Sequence, residues 1–277
     1  ACLVFGLAAR GWGACGLPAG QRGPAGLRLG RDTGTEAVVP PLHHQVVTAR
    51  LRIEPTSAAL RGAQAELESA LLQLEARYGV GPNGVDVIVG WGLSYFRRYL
   101  PMLSDSTAFP LYLPVDRRAS IDTATADGPV FALDDAIAFP SDLPEMILEQ
   151  NDVVLLFQSD HIELVSAAAQ ALMRRLNGMF DLTSIRKGFV GGGFGGGRSL
   201  PKRMAMAAGV PGAESIPETA ELFLGFTSTQ RASLGAGRIV NFETIPRLTD
   251  QWPNGYFRNG TIMHLSHIFE DLERWYS

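Results

Sequence analysis

The stretch DVVLLFQSDHIELVSAAAQALMRRL, residues 152–176, decides how the chain is read. Asp152 to Gln158 is a short apolar run rich in β-branched residues, which reads as a strand buried on both faces. From His161 to Leu176 the apolar residues Ile162, Val165, Ala169, Leu172 and Leu176 recur at helical spacing, with Arg174 and Arg175 near the negative end of the helix dipole. Asp160 is expected to cap that helix, with His161 in its first turn. A buried strand followed at once by an amphipathic helix is one half of an α/β layer, so the search moves outward for the rest of the sheet.

Upstream, Leu42 to Ile53 (LHHQVVTARLRI) reads as a strand, and Ser57 to Tyr78 as a helix with Leu60, Leu67, Leu71, Leu74 and Tyr78 on one face, ended by Gly79. Val85 to Trp91 (VDVIVGW) is a second strand, followed by a short amphipathic helix from Leu93 to Leu100 that Pro101 closes. Asp105 to Asp142, rich in Pro, Asp, Ser and Thr, reads as a surface excursion. Downstream, Phe180 to Val190 (FDLTSIRKGFV) supplies a fourth strand. The order strand, helix, strand, strand, helix, strand is the ferredoxin-like split βαβ, an α+β arrangement with an antiparallel sheet and both helices on one face.

Beyond a glycine-rich loop come Glu221 to Thr229 (ELFLGFTST) and a last strand from Gly260 to Phe269, leading to a helix start at Asp271 to Tyr276. In that strand Thr261, Met263, Leu265 and His267 share one face, and Ile262, His264, Ser266 and Ile268 the other. Each face carries one imidazole, which when buried serves either as a hydrogen-bonded core residue or as a metal ligand. The expected domains are a first ferredoxin-like repeat over about 41–190 and the start of a second over about 221–277, apparently truncated at Ser277.

Composition narrows the function. The chain of 277 residues is 46% hydrophobic, with a net charge of −4, and holds no basic stripe with aromatic interleaving, so nucleic acid is not an expected partner. Its two cysteines, Cys2 and Cys15, precede the expected fold and exclude a disulfide framework in its body. ACLVFGLAARGWGACG, residues 1–16, resembles the apolar and small-residue end of an export signal, too short to span a bilayer. Residues 1–40 are therefore expected as a signal remnant and linker, and the protein as periplasmic or extracellular, with lipid anchoring at Cys15 an alternative. An N-terminal helix packed on the domain is the other reading of the same residues.

Taken in order, HHQVV, VDVIVGWGLSYF, DVVLLFQSDHIELVSAAAQAL, GFVGG at Gly188 to Gly192, LGFTSTQ and GTIMHLSHIFEDLERW resemble the dye-decolourising (DyP-type) peroxidase superfamily. The chain is most similar to a divergent, Tat-exported branch whose members read GFVG and G-T-T-x-H-x-S near these points. The resemblance implies a dimeric α/β-barrel of ferredoxin-like repeats and haem-dependent oxidation of small organic substrates by hydrogen peroxide. It implies His264 as axial ligand to the haem iron, with Arg198 and Arg203 as partners for the propionates; the same basic residues also read as a solvated loop. Where related branches carry the distal acid of GxxDG this chain has Gly191, which cannot shuttle a proton, and the proximal histidine position falls on Glu270, a poor iron ligand. Those departures support the alternative of a non-catalytic exported binding or structural protein that retains the fold without haem chemistry.

Other patterns are weaker. GGGFGGGRSLPKR, residues 191–203, satisfies a dinucleotide-type glycine pattern only as any glycine run does, and Pro201 with the lack of a helical pattern argues against the helix N-terminus such a site requires. No nucleophile elbow, phosphate loop or zinc-protease motif is present. An open sheet edge would invite a second copy, so a homo-oligomer is expected.

Overall fold

The computed structural model describes residues 2–7, 28–32, 35–39, 41–103, 133, 135–190, 199–226, 261–263, 265 and 269–276. In chain order its strands are β1 (Cys2–Leu7), β2 (Arg28–Asp32), β3 (Thr35–Val39), β4 (His43–Leu51), β5 (Asp86–Gly92), β6 (Val153–Ser159), β7 (Phe180–Phe189) and β8 (Thr261–Met263). Its α-helices are α1 (Ser57–Tyr78), α2 (Leu93–Leu103), α3 (Ile162–Arg175), α4 (Leu200–Ala207) and α5 (Leu272–Tyr276).

The protein is mixed α+β. One antiparallel sheet runs β7-β4-β6-β5-β1-β8, and β2 with β3 forms a separate two-stranded ribbon. Within the larger sheet, β4-α1-β5-β6-α3-β7 has the strand order β7-β4-β6-β5, the split βαβ topology. The core lies where α1 and α3 cover one face of these four strands. Val47, Ala49 and Leu51 from β4, Val87 and Val89 from β5, and Val153, Leu155 and Phe157 from β6 meet Leu67, Leu71 and Leu74 of α1 and Val165, Ala169 and Leu172 of α3. Both helices present a single apolar stripe to the sheet, which is why their periodicity is readable.

Local chemistry fixes the ends of these elements. Thr56 caps α1 by accepting from the Ala59 amide at 3.2 Å, and Gly79, at φ 71°, donates back to the Glu75 carbonyl at 2.9 Å. At the β5–α2 junction a Cβ on Gly92 would lie 2.1 Å from the Asn151 carbonyl oxygen, so only glycine lets the two chains cross there. The register of β4 on β7 shifts between Thr48, opposite Ser184, and Ala49, opposite Leu182, leaving Thr183 as the extra residue of a β-bulge. The bulge sets Phe180, Leu182 and Ile185 opposite Leu51, Ala49 and Val47, the helix-side residues of β4.

Several expectations are corrected. The cap of α3 is His161 rather than Asp160, because the Asp160 carboxylate accepts from the Leu42 amide at 2.9 Å and ties the start of β4 to the end of β6. Ile162 is 54% exposed rather than inward, since it precedes the turn that first meets the sheet. α2 continues past Pro101 to Leu103, the proline costing the backbone bond to the preceding turn. Residues 221–226 form bends and a turn, with Gly225 at φ 85°; of the expected last strand, Thr261–Met263 is strand, and residues 260, 264 and 266–268 lie outside the described residues. Within residues 1–40, expected as a signal remnant and linker, the described residues form β1, β2 and β3. β1 pairs with β5 and β8, an apolar run satisfying the sheet edge that β5 would otherwise leave open. Among the described residues no helix is long and apolar enough to cross a membrane.

Candidate functional site

Of the residues singled out from sequence, His264, Arg198 and Gly191 lie outside the described residues. Arg203 is exposed on α4, and Glu270 is exposed just ahead of α5. Neighbouring Lys202 pairs with Glu218 at 2.9 Å, so part of the basic character of that helix is neutralised within its own unit. This unit has a small core of its own, Ala205, Ala213, Ile216 and Ala220, against which Phe223 and Tyr276 pack. Tyr276 donates its hydroxyl to the Phe223 carbonyl at 2.6 Å, which docks α5 there, and Phe223 meets Phe189 edge to face at 5.7 Å, which joins the unit to the end of β7.

At that end of the sheet β4 starts with two histidines. His43 lies opposite Ser159 and Phe189, and His44 opposite Gln158 and Gly188. His44 donates from Nε2 to the Pro41 carbonyl at 2.7 Å, which leaves Nε2 unable to bind a metal in that tautomer. Burial pushes both imidazoles below their ordinary pKa, opposed at His43 by Glu163 and at His44 by the Pro41 bond. They are neutral at neutral pH. His161 Nδ1 sits 3.7 Å from Glu163 Oε1. Among the described residues no three His, Cys, Asp or Glu side chains are grouped to hold a metal ion. The Pro41 bond commits Nε2 of His44 to the backbone, and His264, the residue expected to hold haem iron, lies outside the described residues.

The sheet instead gathers two polar networks that the sequence reading missed. On the face away from α1 and α3, Glu149 accepts from Arg186 at 2.6 Å, Asn151 at 2.7 Å and Thr48 at 2.9 Å, and Ser184 completes the group. Burial raises the Glu149 pKa, but hydrogen bonds from Arg186, Asn151 and Thr48 and the Arg186 charge outweigh it and bring it down to about 2. At the C-terminal end of β4, fully buried Asp152 accepts from the Leu51 amide at 2.8 Å and is paired with Arg98. Arg98 also donates to the Leu51 carbonyl at 3.2 Å, and Tyr99 donates its hydroxyl to the Ile53 carbonyl at 3.1 Å. The signal for this group was an Asp at the mouth of a strictly apolar run, which must be paired if it is buried.

Solved structures similar to this chain include ferric DtpA from Streptomyces lividans, at a TM-score of 0.39 and 16% identity, over 61% of this chain and 42% of that one. A DyP-type peroxidase from Streptomyces coelicolor is similar at a TM-score of 0.38 and 16% identity, over 61% and 42%. A dye-decolorizing peroxidase from Bacteroides thetaiotaomicron is similar at a TM-score of 0.31 and 11% identity, over 60% and 44%. The aligned part of this chain thus spans less than half of each of those proteins. No curated protein matches the chain. One family model covers residues 41–277, from just before β4 through α5, and by that match the chain belongs to the Family of unknown function (DUF7405).

Proposed function

We propose that this chain is an exported, peroxidase-like oxidoreductase that oxidises small organic substrates with hydrogen peroxide, using haem held through His264, with Arg198 and Arg203 toward the propionates. The observation that carries this reading is the coincidence of motif order with topology. HHQVV opens β4, VDVIVGW runs into and along β5, DVVLLFQ leads into and along β6, and GFV closes β7, in a unit whose strand order is β7-β4-β6-β5. Haem would supply the redox chemistry of peroxide reduction, and the described residues contribute only Arg203, exposed on α4, toward it. A fold alone does not carry an activity.

A second reading has its own support. Gly191 stands where related branches carry the distal acid, and Glu270, exposed in the structure, stands where they carry the proximal histidine; both departures favour a binding or structural protein that keeps the fold without haem.

One purified sample separates the two. The enzymatic reading requires a Soret band and stoichiometric iron, and expects His264→Gln to shift that band and weaken haem retention while His267→Gln leaves both unchanged. Folded protein that takes up no haem, or two variants with the wild-type spectrum, would leave the binding-protein reading standing. For the haem-loaded protein, Gly191→Asp should speed reaction with peroxide, since a general acid–base group contributes about 10²–10⁴-fold.

A further inference from the structure

A cleft of about 420 Å³ opens beside the C-terminal end of β4, at the far end of the sheet from His43, and is lined by Arg50, Leu51, Arg52, Ser94, Arg98 and Asp181. Three arginines from two separate segments therefore line one cleft. Their charges are unequally compensated. Arg98 is held by fully buried Asp152 and by the Leu51 carbonyl, so its position is set by the core and not by solvent. Arg52 pairs with Asp181 at 2.9 Å, but both side chains are more than half exposed, and such a pair is weak and readily exchanged. Arg50 bonds through Nε to the Gln150 carbonyl at 3.3 Å and meets no carboxylate among the described residues. Three arginines set against Asp152 and Asp181 leave one positive charge in excess.

We propose that this cleft binds a small tetrahedral oxyanion, inorganic phosphate or the phosphate of a small ester. Guanidinium groups match oxyanion geometry with paired N–H donors, and several arriving from different directions satisfy more oxygens than a single carboxylate offers. Ser94, which also lines the cleft, brings a hydroxyl that can donate to an anion. Arg98 is the preorganised member, since its rotamer is fixed before the anion arrives, and Arg52 is the exchangeable one, trading Asp181 for the ligand. The site is independent of the haem reading, because it uses none of its residues.

The test is calorimetric titration of the full chain with inorganic phosphate at fixed ionic strength. Chloride serves as the non-binding anion, and phosphatidylglycerol vesicles with phosphatidylcholine controls form a separate arm. Saturable binding is expected, weakened about tenfold or more, or about 1.4 kcal/mol, by Arg50→Ala or Arg52→Ala and unaffected by Arg61→Ala on α1. Asp181→Asn should tighten it, because the competing carboxylate is gone while the packing is kept; a merely destabilising change could not do that. The proposal is overturned by any of three results: absence of saturable uptake of phosphate by folded protein, equal affinity in the Arg50, Arg52 and Arg61 variants, or uptake of phosphatidylglycerol vesicles without uptake of free phosphate.

Discussion

β4 has two neighbours, and they are held by different forces. β6 pairs with it over Val153 to Ser159 and is buried along almost its whole length, with Val153, Leu155 and Phe157 fully enclosed by α1 and α3. β7 pairs with it over Phe180 to Phe189, yet Leu182 is 47% exposed and Ile185 53% exposed, because the helix layer stops short of this margin. What β7 lacks in apolar burial is supplied by the backbone ladder and by the network that links Thr48, Ser184 and Arg186 to Glu149. A strand can thus be specified by paired polar groups as well as by a core, but the two kinds of support respond to different perturbations.

The largest expected difference is in truncation. Phe157→Ala removes a fully buried ring from the centre of the core and should destabilise the fold by about 3–5 kcal/mol, read as a loss of thermal or urea midpoint. Ile185→Ala on β7 should stay within about 0.5 kcal/mol of wild type, and equal losses at the two positions would mean that the margin is covered in solution.

Acid should act on the other strand. The Glu149 carboxyl titrates at about 2 in the fold against an ordinary 4.5, so its contribution is complete above the ordinary value and is lost as pH falls toward 2. Glu149→Gln should cost about 1–3 kcal/mol at neutral pH and flatten the stability profile over that acid range. A variant with the wild-type acid slope would show that the network does not hold β7. The smallest effect on stability is expected from Ile185→Lys, whose value lies in association. If the edge of β7, unpaired among the described residues, recruits a second copy, the charge should shift the population toward monomer in sedimentation with little change in midpoint. A wild-type protein that is already monomeric at micromolar concentration removes the edge as an interface.

The same contrast explains what the sequence reveals. β6 and α3 are legible because burial imposes a pattern: an unbroken apolar run in one and Val165, Ala169 and Leu172 at helical spacing in the other. The split βαβ order follows from the succession of such segments. The Glu149 network is not legible, since Thr48 and Ser184 reach Glu149 across 101 and 35 residues of sequence and no local pattern marks long-range polar pairing. The cap of α3 was misplaced for a related reason: Asp160 has the chemistry of a cap, but the Leu42 amide, 118 residues away, claims its carboxylate. The pairing of β1 with β5 was missed because CLVFGL satisfies the requirements of an export signal and of a strand equally well. Of the expected haem contacts only Arg203 can be followed into the structure, and it is exposed.

The bulge in β7 gives that strand an unusual tolerance. An insertion or deletion within a strand normally reverses the facing of every residue on one side of the change. Thr183 is the one position where this penalty is absent: removing it would leave Phe180, Leu182 and Ile185 alternating with Asp181, Ser184 and Arg186 in unbroken period, each still opposite its present partner on β4. The chain can therefore lose this residue in mid-sheet as a loop would, changing the local twist of its outer edge while keeping its apolar face toward the helices and its polar face toward Glu149.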